Sequence, residues 1–178
     1  MIGNTRFLIA THIMVGLAGK KMYMDGQPLN SEYMAYSVNT NPVVIRRIVS
    51  ELKRAGLVDA KTGPNGGAFI AKDPSRITLA DIYNALKDGG DIFNVNECKA
   101  NHCCVIGRGI KPAFTNLVGE AESALLDVLA KKTIKEFAIE TIDKTLRDEY
   151  KDQTSTIEEL VQKVQQDENS TFEHLEKI

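Results

Sequence analysis

The chain has 178 residues, 43% of them hydrophobic and 26% charged, and a net charge of −2. That length fits one compact domain with an appended helical arm, and the ordinary composition excludes a disordered or fibrous chain. The near-neutral total hides an asymmetry, because residues through Lys72 carry +5 and the remainder −7, the division expected when one part meets a polyanion and the other does not.

The first expected element is a core helix over Thr5–Ala18, where Phe7, Ile9, Ala10, Ile13, Met14, Leu17 and Ala18 recur at helical spacing and Thr5 is available as N-cap. The apolar run Phe7–Gly19 contains His12 and lacks a small-x-small cleavage site, so it does not read as a signal peptide. Gly26 and Pro28 break the pattern, after which Ser31 can cap a short helix through Tyr36. Asn41-Pro42 opens the clearest element, since asparagine is a natural N-cap and proline at the first helical position lacks only an N–H that would go unused. This helix runs through Ala55 and is stopped by Gly56. Ile45, Ile48, Val49 and Leu52 share one face, and Val43, Arg46, Arg47, Ser50, Lys53 and Arg54 share the other. One side packs, and the other is basic and exposed.

A strand from Leu57-Val58 leads into the turn cluster Gly63-Pro64-Asn65-Gly66-Gly67, and Ala68–Ala71 returns as its hairpin partner. Thr78 caps a helix that places Leu79, Ile82, Tyr83 and Leu86 on one face. Lys87–Gly109 holds Cys98, Cys103 and Cys104, shows no periodicity and reads as a long loop. Pro112 starts a long helix through Lys131 with Leu117, Ala121, Ala124, Leu125, Val128 and Leu129 as its apolar stripe, and Thr133 caps another helix. Residues 150–178 are polar, and a frayed helix and a disordered tail are the two readings. No stretch approaches the roughly 18 apolar residues that span a bilayer, so a soluble cytoplasmic protein is expected.

The expected fold is mainly α with a small β-hairpin. A short helix, a tight turn through Ser37-Val38-Asn39-Thr40 and a second helix with a basic outer face form a helix-turn-helix, whose second helix enters the DNA major groove N-terminus first. Ser31, Asn39, Thr40, Asn41, Val43, Arg46, Arg47, Ser50 and Lys53 are the candidate contacts on that unit. Arginine can bond guanine bidentately, asparagine can bond adenine, and a valine methyl can pack on thymine. The glycine-rich hairpin suits a wing, with Lys61, Asn65 and Gly66 near phosphate or a minor groove. A nucleotide-binding P-loop is excluded, because no Gly-Lys-Ser or Gly-Lys-Thr follows the glycines and a strand rather than a helix comes next. No hydrolase or metal-enzyme spacing appears, and His12, His102 and His174 lie in unrelated segments, so no catalytic residues are assigned. A winged helix serving as a protein-interaction or assembly module without specific DNA binding is the alternative reading.

Four stretches together resemble the Rrf-type winged-helix transcriptional regulators, the IscR-, NsrR- and CymR-like family, over residues 1–140. They are Arg6–Ala18, Ser37–Ile48, Leu52–Val58, and Gly63–Gly67 followed by Ile77–Ile82. The resemblance implies a homodimeric repressor whose long helix crosses its partner and whose two recognition helices read a palindromic operator on double-stranded DNA. It divides the chain into a DNA-binding domain over 1–86, a sensor loop over 87–109, dimerisation helices over 110–149 and a polar extension over 150–178. Thr62 and Ala68 depart from the family pattern, in which Arg and Tyr often flank the wing glycines.

Iron–sulfur members of the family place three cysteines in the loop near Cys-x5-Cys-x5-Cys. Cys98 and Cys104 match two of them, whereas Ile92 occupies the third position and cannot ligate. The chain is thus nearest to members without a complete cluster set. Cys98, His102 and Cys104 form a weaker alternative ligand set, and no cofactor is expected. Cys98, Cys103 and Cys104 can instead form a redox-sensing thiol switch, or pack as inert small apolar side chains.

Overall fold

The computed structural model describes residues 4–24, 26–63, 66–87, 101, 103–151 and 155–163. The elements run α1 (Asn4–Tyr23), α2 (Ser31–Val38), α3 (Pro42–Arg54), β1 (Val58–Lys61), β2 (Gly67–Ile70), a 3-10 turn (Pro74–Arg76), α4 (Leu79–Ala85), α5 (Val105–Ala130) and α6 (Ile134–Tyr150). Ile13 and Met14 of α1, Ile45, Ile48 and Leu52 of α3, Ile77, and Ile82 of α4 form one buried core.

Local chemistry sets the element ends. The Asn41 side chain accepts the Val43 N–H and Pro42 follows at the first helical position, so α3 starts where expected. Residue 31 is different: Asn30 is the cap, accepting the Tyr33 N–H, and Ser31 is the first residue inside α2. Thr5 likewise lies inside α1, which already runs from Asn4.

β1 and β2 pair antiparallel, with Val58 opposite Ile70 and Lys61 opposite Gly67. Leu29 adds a bridge on the far side of β2, exchanging two backbone hydrogen bonds of 2.8 and 2.9 Å with Ala68. A Cβ on Gly67 would stand 2.3 Å from the Leu29 carbonyl oxygen, which is why this position is glycine. The expected hairpin forms, one residue shorter at its entry and shifted back by one at its return.

The second half departs further from expectation. α5 starts at Val105, seven residues before Pro112, inside the stretch expected to be loop. Pro112 cannot donate to the Arg108 carbonyl, but both residues are exposed, so water can satisfy that oxygen and the helix continues. α6 turns back onto α1 and inserts Ile134 and Ala138 into the main core, with Ile142 3.0 Å from where a Cβ on Gly19 would lie. Thr78 and Thr133 cap α4 and α6, each through a capping box, and the two residues face each other in an antiparallel bridge. Leu79 N–H donates to Lys132 and Ile134 N–H to Ile77 across that junction.

Part of the expected tail is ordered. Thr156 and Glu159 cap a short helix over 157–163, Leu160 is fully buried, and Arg147 bonds both Asp143 and the Ser155 carbonyl. Val164 and His174 lie outside the described residues.

Candidate nucleic-acid interface

The turn between α2 and α3 is built by Asn39, which adopts the left-handed conformation (φ 55°, ψ 56°) and donates its N–H to the last carbonyls of α2. Asparagine tolerates this conformation better than most side chains. Thr40 N–H donates to Ala35, closing the turn and setting α3 at its angle to α2.

α3 then divides cleanly. Ile45, Ile48 and Leu52 are buried, while Val43 is 65% exposed and the Arg46 and Arg47 side chains 59% and 73% exposed. Ser50, Lys53 and Arg54 continue the same outer face. Of the predicted contacts, Asn39, Asn41, Val43, Arg46, Arg47, Ser50 and Lys53 therefore come together on one exposed surface, with Thr40 half-buried at its edge. Asn41 already uses its side-chain oxygen on the Val43 N–H. Ser31 is half-buried on α2 and its hydroxyl donates to Glu32. Lys61 is exposed at the end of β1 and Gly66 is half-buried beside β2, whereas Asn65 lies outside the described residues.

Periodicity alone missed the anions woven through this surface. Glu32 of α2 lies 3.5 Å from Arg46, and Asp59 of β1 lies 2.7 Å from Lys53. The Lys53 ammonium, followed by the Ala60 N–H, holds the Asp59 carboxyl below the usual carboxylate range. Glu51 of α3 is 4% exposed and touches both Arg47 and Arg6 of α1. Tyr36, 71% exposed on α2, is a further large side chain beside the recognition turn. His12 also lies outside the core, with its Nε2 2.9 Å from the Ser37 hydroxyl.

Cys104 is the N-cap residue of α5 and Cys103 precedes it. Both are exposed in the single chain. Asn101 builds this end, accepting the Cys103 N–H on its side chain and the Cys104 N–H on its carbonyl. A Cβ on Gly107 would collide with that carbonyl oxygen. The Gly107 N–H, followed by that of Ile106, draws the Cys104 thiol below its ordinary value, by electrostatic attraction rather than a full capping bond. Folded protein should therefore alkylate at Cys104 with a pH midpoint below that of the urea-unfolded chain, read by iodoacetamide labelling and peptide mass spectrometry.

Among the described residues no three His, Cys, Asp or Glu side chains come together around a possible ion, and Ile92 leaves the cluster set one thiolate short. Cys98 and His102 lie outside the described residues. Along α5, Val105, Ile106, Ile110, Phe114 and Leu117 are exposed, while Val118 and Glu122 are buried and Lys87 pairs with Glu122. The expected apolar stripe is thus divided: Leu129 packs on the core, and Leu117 and Val128 face outward.

A helix-turn-helix with an exposed basic second helix, followed by a two-stranded wing, defines a winged-helix DNA-binding protein. Residues 4–140 match the family described as Rrf2, iron-dependent transcriptional regulator, and the chain belongs to this family. It is 35% identical over 133 residues to YwnA of Bacillus subtilis, a protein named as an HTH-type transcriptional regulator, covering 75% of this chain and 94% of that one. It is 30% identical to the HTH-type transcriptional regulator NsrR of Bacillus licheniformis, covering 57% of this chain and 68% of the relative. The solved structure of CymR, the global cysteine regulator of B. subtilis, superposes with a TM-score of 0.53 at 25% identity, covering 76% and 94% of the two chains. The protein is a DNA-binding transcriptional regulator, and its family is one of regulators rather than enzymes. No helix among the described residues is long and apolar enough to cross a membrane.

Proposed function

We propose that the chain acts in the cytoplasm as a homodimeric repressor of a palindromic operator. The observation that carries this reading is the outer face of α3, where Val43, Arg46 and Arg47 project beyond a fully buried inner face. Arg46 and Arg47 supply donors for guanine edges or phosphates, Val43 a methyl surface for thymine, and Lys61 at the wing a charge for the neighbouring backbone. The exposed apolar residues of α5 from Ile106 to Leu117 support pairing with a second copy, because monomeric proteins seldom leave such a row uncovered. Two copies related by a twofold axis would present their recognition helices to successive major grooves.

Release is assigned to the cysteines. Cys104, drawn toward its thiolate at the open end of α5, is the peroxide-reactive group, and Cys98 or Cys103 condenses with the resulting sulfenic acid to a disulfide with loss of water. Gel shift on the chain's own upstream region tests the whole reading. A single retarded species of dimer stoichiometry is expected, with log affinity falling by about 0.9 per neutralised phosphate against log salt. Peroxide should release the DNA and Cys104→Ser should remain bound. Binding as a monomer, or equal affinity for random duplex, would refute the dimeric-operator reading.

A further inference from the structure

Glu51 sits where three effects oppose it. It is 4% exposed, it lies in the last turn of α3 where the helix dipole disfavours an anion, and it stands behind a surface that meets a polyanion. Two arginines offset this. Arg6, 45 residues earlier on α1, donates to Oε2 at 2.5 Å, and Arg47, one helical turn earlier on α3, brings its Nε to 3.6 Å from Oε1. The carboxylate thus divides its oxygens between the scaffold and the recognition surface. The contact to Arg47 is made through Nε, on the inner side of the guanidinium. The Arg47 side chain remains 73% exposed, which leaves its guanidinium accessible from solvent.

From this geometry we infer that Glu51 is a positioning residue for DNA reading: anchored to α1 by Arg6, it holds the Arg47 guanidinium with its terminal nitrogens presented to the groove. The inference rests on the assignment of the α3 outer face as the reading surface. Without the carboxylate, an exposed arginine regains rotamer freedom that DNA binding must then remove, and its planar fork loses the orientation on which bidentate bonding depends. Only ordered, sequence-specific contact gains from such positioning. Non-specific phosphate attraction, which needs charge without fixed geometry, does not.

The test is a double-mutant cycle read by fluorescence anisotropy on two duplexes, an operator selected by the wild-type protein from a random pool and a random-sequence control. Glu51→Gln keeps the shape and one acceptor for Arg6 while removing the charge. It should weaken operator binding about fivefold or more, within the coupling found for residues in contact, while control binding holds or rises. In an Arg47→Ala background the same substitution should change operator affinity little. A purely structural role would instead persist in that background, and this outcome overturns the inference while leaving the reading surface intact. Tighter operator binding by Glu51→Gln would show that the carboxylate competes with DNA, and also overturns it. Arg47→Ala binding like the wild type would instead overturn the reading surface itself. Should Glu51→Gln fail to fold, Glu51→Asp keeps the charge but draws it back by one methylene from an Arg47 Nε already 3.6 Å away, and is expected to follow the same pattern.

Discussion

Replacing both Arg46 and Arg47 by alanine should abolish operator recognition while leaving the fold intact. Each good bidentate contact to a base discriminates by about 1–3 kcal/mol, so losing two corresponds to about 30-fold to 10⁴-fold in affinity for the operator. The side chains are 59% and 73% exposed, the Arg46–Glu32 pair is a surface one, and Glu51 keeps its shorter bond to Arg6 when Arg47 is lost, so the melting temperature should move little, as for surface substitutions worth within about 0.5 kcal/mol. The salt dependence separates two versions of this loss. If the arginines bond phosphates, the slope of log affinity against log salt becomes shallower by about 0.9 for each. If they bond base edges, the slope holds and discrimination between operator variants collapses. Unchanged operator affinity would mean that α3 is not the reading helix.

Ile45→Ala should produce the opposite pattern. Ile45 is on the inner face of the same helix, completely buried among side chains of the main core. Truncating such a residue removes transfer energy and leaves a cavity, at a cost of about 2–5 kcal/mol. For a chain of this size each kcal/mol lowers the melting temperature by about 2–4 °C, which gives a fall of about 4–20 °C. Val43→Ala, two residues away but 65% exposed, should melt like the wild type. Calorimetry on the pair checks that α3 has one structural and one functional face. Equal melting temperatures for Ile45→Ala and the wild type would contradict the burial of the inner face.

What the sequence made legible follows from the range of each interaction. The N-caps at Asn41, Thr78 and Thr133 depend on residues within three positions, and these were readable. So was the division of α3 into two faces, because periodicity carries it. Asn30 and Ser31 are both good cap formers, and residue type alone could not choose between them. Pro112 and the glycines before it look like the end of a loop, yet they lie within a solvent-exposed helix, where a missing hydrogen bond costs little. Glu51 was not legible at all as a site residue, because its burial depends on Arg6, which meets it only after α1 and α3 pack. The insertion of α6 into the main core was hidden for the same reason.

The bridge between Thr78 and Thr133 has a mechanical consequence. It fastens the C-terminal end of α5 to the start of α4 by backbone hydrogen bonds on both sides, and α6 is seated in the core immediately beyond. α5 has 26 residues, and at about 1.5 Å per residue its axis extends about 39 Å from that fastening. Cys104 stands at the distant tip. The helix is held again at Val118 and Glu122, so the stretch that projects beyond a second support is Val105–Leu117, about 20 Å long, with Cys104 at its tip, where a small angular change gives the largest displacement.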